Sequence, residues 1–197
     1  MGICISKNKI DGFRLTLLLL HDTYINNNDF VNNKVNEFIG KYNKFSKSCN
    51  ESINSNLIEY IKMSIEYSLF ETGITQMYHL FEQFIKIYFN INLSEDCFKN
   101  AKDIAKNYDY NFANNSYFVL VNKYRLLNNA IKHGGIEELK KEHCYLINQT
   151  YDNNDYGTIL DNKLNITIDE IDECCNCLYN FIDEMNIYFE DMGYIDN

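Results

Sequence analysis

Proline is absent from all 197 residues of the chain. Proline removes a backbone donor and clashes with the preceding turn, so a chain without it is free to run long, uninterrupted helices. The apolar residues follow that freedom. From Leu57 to Phe89 they recur at helical spacing (Leu57, Ile61, Ile65, Leu69, Met77, Leu80, Phe84, Tyr88), which predicts one long helix or two joined near Gly73. Hydrophobic residues make up 46% of the chain, with 16 Tyr and 13 Phe, enough to bury a core and to exclude global disorder. The expected class is all-α.

Two further candidate helices, around Phe13–Tyr24 and Phe30–Phe45, flank the breaker Asn26-Asn27-Asn28-Asp29 and predict an N-terminal helical arm over residues 1–50. Residues 51–197 are then expected to close an antiparallel helical bundle. Within it, Ser94 caps a short helix reaching about Asn107, with Glu95 and Asp96 complementing its dipole. The next helix runs from Ser116 to His133, with Tyr117, Leu120, Tyr124, Leu127 and Ile131 as its inward stripe and Gly134-Gly135 as its stop. A short helix over Glu137–His143, a polar connection through Gly157 and a small extended pair near Thr158–Ile166 precede the last element. That element opens on a capping box, Thr167-Ile168-Asp169-Glu170. Its core face is Ile171, Cys175, Leu178, Ile182, Met185 and Phe189, and it ends near Gly193.

The chain carries 18 Lys and Arg against 28 Asp and Glu, a net charge of −10 that argues against a general nucleic-acid coat or an anionic-membrane binder. The excess is local to the segment Asp161–Asn197. Between Lys123 and His143 the sign reverses, because Lys123, Arg125, Lys132, Lys140 and Lys141 outnumber Glu137, Glu138 and Glu142, and a cationic site has room there. Seven cysteines, an odd number with no secretory signal before them, read as reduced thiols in a cytoplasmic protein. Cys174-Cys175-Asn176-Cys177 sits where a helix directs consecutive residues to different faces, so these read as packing thiols rather than zinc ligands. The apolar run Leu15–Leu20 is far short of the roughly 20 residues that a membrane span needs. Met1-Gly2-Ile3-Cys4-Ile5-Ser6 fits the short myristoylation pattern, yet one acyl chain without a polybasic patch anchors only marginally.

Arg125, Asn129 and His133 are spaced i, i+4, i+8 and form a polar ladder off the inward stripe. At 1.5 Å and 100° per residue, Arg125 and His133 lie about 12 Å apart along the axis and about 80° apart around it. One straight helix cannot join them. An isologous dimer can, by placing two ladders along one cleft across a two-fold axis.

Asn128-Asn129-Ala130-Ile131-Lys132-His133 resembles the hallmark of the HEPN superfamily, helical bundles that include metal-independent ribonucleases of toxin, CRISPR and abortive-infection systems. That hallmark is an Arg followed after four to six residues by a His, often with a polar residue directly after the Arg. Here Asn128 stands in the Arg place and Arg125 lies one turn early. The long helix carrying Phe81-Glu82-Gln83 before the motif and the capped helix after it resemble the HEPN arrangement, so the likeness covers about Leu57 to Met192. It implies endoribonuclease activity at a homodimer cleft, with no metal or other cofactor. His133, Arg125 and Asn129 would be catalytic, while Lys132 and Asn128 would bind the substrate RNA. An antitoxin or a phage protein is the further partner class implied. The competing expectation is a non-catalytic HEPN-like protein-interaction module, and a third is a lipid-anchored signalling adaptor.

Overall fold

A helix of 34 residues, α2 (Ser55–Tyr88), is the backbone of the computed structural model, which describes residues 2–22, 29, 32–34, 37, 55–92, 97–133, 136–151, 160–164 and 166–194. The other described α-helices and strands are α1 (Gly2–Leu20), α3 (Cys97–Lys106), α4 (Phe118–His133), α5 (Ile136–His143), strands β1 (Ile147–Tyr151) and β2 (Leu160–Leu164), and α6 (Ile168–Asp191), with 3-10 turns over Phe112–Asn114 and Cys144–Leu146. The fold is an all-α helical bundle to which one antiparallel hairpin is attached. Among the described residues no helix is long and apolar enough to cross a membrane.

Gly73 does not divide α2. A Cβ there would lie 2.8 Å from Leu17 Cδ1 and 2.9 Å from Ile171 Cδ1, so the glycine lets α1 and α6 approach the middle of α2. The pairs that follow set the helix directions. Gly73 meets Ile171, Phe81 meets Phe181 at 5.7 Å and Phe89 meets Phe189 at 6.0 Å, so α2 and α6 run parallel. Helix α1 opposes both: Leu17 lies on Gly73 and His21 stacks on Phe70 and bonds Glu66, while Arg14 pairs with Asp172 at 3.4 Å and the Cys175 thiol faces Asp11. Helix α4 also opposes α6, since Ser116, just before it, bonds Glu184 while Tyr124 bonds Glu170 and Glu173.

Two sequence expectations change here. The first helix runs over Gly2–Leu20 rather than Phe13–Tyr24, and it is packed into the bundle. Its stripe of Ile10, Phe13 and Leu17 turns inward at i, i+3, i+7, and Ile10 and Leu17 belong to the common core. The expected helix over Phe30–Phe45, and the cap at Ser94, lie largely or wholly outside the described residues. The extended pair is present, with β2 inside the expected Thr158–Ile166 window. Its partner is β1, in register Ile147↔Leu164 through Tyr151↔Leu160, from a stretch read as connection. The Leu164 N–H donates to Tyr67 Oη at 2.7 Å, which ties the hairpin to α2.

At the other end the core is aromatic. Phe81, Phe98, Phe112, Phe181 and Phe189 are buried with Tyr110, and the Phe112–Phe181 rings meet edge-on at 5.3 Å. Such pairs add about 0.5–1.5 kcal/mol each beyond the area they bury. This cluster braces the start of α3 and the turn before α4, and so fixes the two helices that flank the site.

Candidate functional site

Helix α4 is buried over a wide arc, because α2 lies on one side of it and α6 on another. Val121, Lys123, Tyr124, Leu126, Leu127, Asn128 and Ala130 are all buried. One polar strip stays accessible: Asn122, Arg125 and Asn129 half-buried, then Lys132 and His133 exposed in the last turn. The expected ladder of Arg125, Asn129 and His133 is therefore on the outside, on one continuous helix. Helical rise keeps its ends about 12 Å apart, so His133 and Arg125 of one chain do not meet.

Asn128 departs from expectation. It is 2% exposed, and its Oδ1 meets no donor among the described residues. Four residues after the fully buried Tyr124, it follows that ring's azimuth into the core, so it cannot touch a substrate at the surface. An unsatisfied buried amide oxygen costs about 1–3 kcal/mol. Lys123, counted among the cationic surface residues, is likewise inside. Its ammonium bonds Glu173 and lies 2.8 Å from Glu170 Oε2, while the Tyr124 hydroxyl sits 2.8 Å from Glu170 Oε2 and 2.7 Å from Glu173 Oε2. Burial by itself would depress the Lys123 ammonium, but the hydrogen bonds and charge of the two carboxylates outweigh it and hold the group well above the ordinary lysine range. Burial opposes ionisation of Glu173 too, and bonds from Lys123 and Tyr124 leave it below the usual carboxylate range. The Glu170 carboxylate, expected to reach back to the Thr167 N–H, gives its Oε2 to this cluster. Thr167 Oγ1 still caps α6 by accepting from the Glu170 N–H at 3.4 Å. This part of the cationic segment is a clamp between α4 and α6 rather than a ligand site.

The accessible cation lies on the other side. Arg125 opens into a cleft of about 280 Å³ between α3 and α4, where Lys99, Lys102 and Lys106 of α3 face it, with Asn122 and Asp103 on the walls. Arg125 Nε donates to Asn122 Oδ1 at 3.0 Å, which commits one of the five guanidinium donors and fixes the plane of the group. Lys106 pairs with Asp103 at 2.9 Å, and that ammonium holds the Asp103 carboxyl below its usual range. Four cations thus share the cleft with one carboxylate, in a chain whose net charge is −10. The α3 lysines fall outside the Lys123–His143 segment in which the charge reverses, so net-charge patterning does not mark them. The signal was present in their spacing, i, i+3, i+7, which puts all three on one helix face.

Among the described residues the cysteines divide by burial. Cys97, Cys174, Cys175 and Cys177 are in the core and Cys144 is exposed. Burial, followed by the charge of Asp11, pushes the Cys175 thiol up to about 11. No family model, curated protein or solved structure matches this chain.

Proposed function

We propose that the chain is a cytoplasmic, HEPN-type, metal-independent endoribonuclease that works as a homodimer in a toxin or anti-phage abortive-infection setting. The observation that carries the reading is the strip on α4, where a half-buried Arg125 in a cationic cleft leads through Asn129 to an exposed His133 on one accessible face. Pairing two such faces across a two-fold axis supplies what one chain lacks, an imidazole next to a guanidinium.

In that arrangement His133 takes the proton from a ribose 2′-hydroxyl as the 2′-oxygen attacks phosphorus. The bond from phosphorus to the 5′-oxygen breaks, and the leaving oxygen takes up a proton, so one proton is lost at the 2′-oxygen and one gained at the 5′-oxygen. The products are a 2′,3′-cyclic phosphate and a 5′-hydroxyl, and no water, electron or metal enters the balance. The partner subunit's Arg125 neutralises charge on the phosphate as it grows, a task suited to its fixed fork of donors. Asn129, one turn before His133, orients the imidazole or donates to a phosphate oxygen, and Lys132 adds charge at the exposed end.

The test is cleavage of labelled single-stranded RNA by purified protein in EDTA. Wild type should cut RNA and leave the all-deoxy strand whole, and His133→Ala should lose cleavage by at least about a hundredfold while keeping its helical circular dichroism. RNA left intact by wild type would instead favour a non-catalytic interaction module, the reading that the separation of Arg125 and His133 within one chain supports.

A further inference from the structure

We infer that the α3–α4 cleft is a sequence-independent track for the phosphate backbone of single-stranded RNA, in which the three α3 lysines lead the strand to Arg125. The inference rests on the reading of this chain as an RNA-acting protein, and it assigns a role to residues that the motif does not contain. Lys99, Lys102 and Lys106 line the cleft from α3 and Arg125 lines it from α4. At 1.5 Å per residue the lysine row extends about 10 Å along α3, a length suited to following successive phosphates rather than enclosing one. Small-molecule sites are mostly apolar and about 300–1,000 Å³. This cleft lies at the bottom of that range and is lined mainly by cations and polar groups, which favours a phosphate strand over an enclosed apolar ligand.

The aromatic residues of the cleft argue that it reads charge and not bases. Phe118 lies there, but one face of its ring is stacked on Phe98, with centroids 6.1 Å apart and planes at 12°, and the Lys102 ammonium stands 5.3 Å from its centroid. With the Phe98 ring parallel to it and the Lys102 ammonium over it, the Phe118 ring is already engaged by the protein's own groups. Arg125 donates its Nε–H to Asn122, which restrains the guanidinium and suits its planar fork of donors to a phosphate.

The experiment measures binding of fluorescent 2′-O-methyl oligonucleotides, which lack the attacking hydroxyl, so its outcome is independent of whether cleavage occurs. Lys99→Gln/Lys102→Gln/Lys106→Gln should weaken binding at least about tenfold and lower the salt dependence by about two phosphate contacts. A control of equal charge, Lys9→Gln/Lys34→Gln/Lys141→Gln, removes three lysines elsewhere and should bind as wild type does. Oligouridylate and oligoadenylate should bind within about threefold of each other, and free ATP should displace either only at far higher concentration. Circular dichroism checks that both variants fold. Equal binding by the cleft variant and wild type would overturn the inference, as would an equal loss in the control, a strong base preference, or displacement by ATP at the oligonucleotide's own concentration. Loss of cleavage in His133→Ala bears on the nuclease alone.

Discussion

Replacing Lys123 with methionine tests the α4–α6 clamp, because Lys123→Met keeps most of the side-chain volume and removes only the ammonium. In the native protein the Lys123 side chain is 5% exposed and its ammonium is shared by Glu170 and Glu173, whose side chains are 16% and 43% exposed. Breaking a buried ion pair costs about 3–5 kcal/mol, because the partner charge is left uncompensated. Glu173 can rehydrate, and the Tyr124 hydroxyl still donates to Glu170, so the loss belongs at the low end, about 3 kcal/mol. For a chain of this size that corresponds to a fall in Tm of roughly 6–12 °C. The pH dependence has a definite sign. Glu173 titrates lower in the folded protein than in the unfolded chain, so its contribution is complete above about 4.5 and is lost as pH falls through the folded value. Urea unfolding followed by circular dichroism should therefore show the gap between wild type and Lys123→Met at pH 7 narrowing toward pH 3. A gap under about 0.5 kcal/mol at pH 7, or one that widens in acid, would refute the description of Lys123 as a clamp.

Two other outcomes test the fold. Leu17→Ala should destabilise the protein by about 2–5 kcal/mol, since Leu17 is buried against Gly73, and a change within 0.5 kcal/mol would mean that α1 is not part of the core. Native alkylation followed by mass spectrometry should label Cys144 well before Cys174, Cys175 and Cys177, which should react only in denaturant, and labelling of all four at similar rates would contradict their burial.

What was legible in the sequence was mostly local. Periodicity located α2 and α6, the Thr167 cap fixed the start of α6 to the residue, and the core positions Ile171, Leu178, Ile182, Met185 and Phe189 are buried as their spacing requires. What was hidden depended on three helices meeting. Gly73 looks like a joint in one dimension and is a contact point in three, since its missing Cβ matters only once Leu17 and Ile171 stand opposite. Lys123 and Asn128 look like surface residues because polarity usually marks solvent. Both lie inside because α4 is covered on two sides, and two acids 47 and 50 residues further on supply the charge that lets the lysine stay there. The ladder of Arg125, Asn129 and His133 was legible because it lies on one helix, whereas the cleft beside it needed α3 to be placed.

Mixing two inactive proteins tests most directly the proposed pairing of Arg125 of one subunit with His133 of the other. His133→Ala and Arg125→Ala, each dead alone, are combined, allowed to exchange subunits, and assayed for RNA cleavage in EDTA. Random exchange makes half of the dimers mixed, each with one intact His133–Arg125 pair across the interface, so activity should recover to roughly a quarter of wild type. A mixture that exchanges subunits yet stays as inactive as its components would contradict the account.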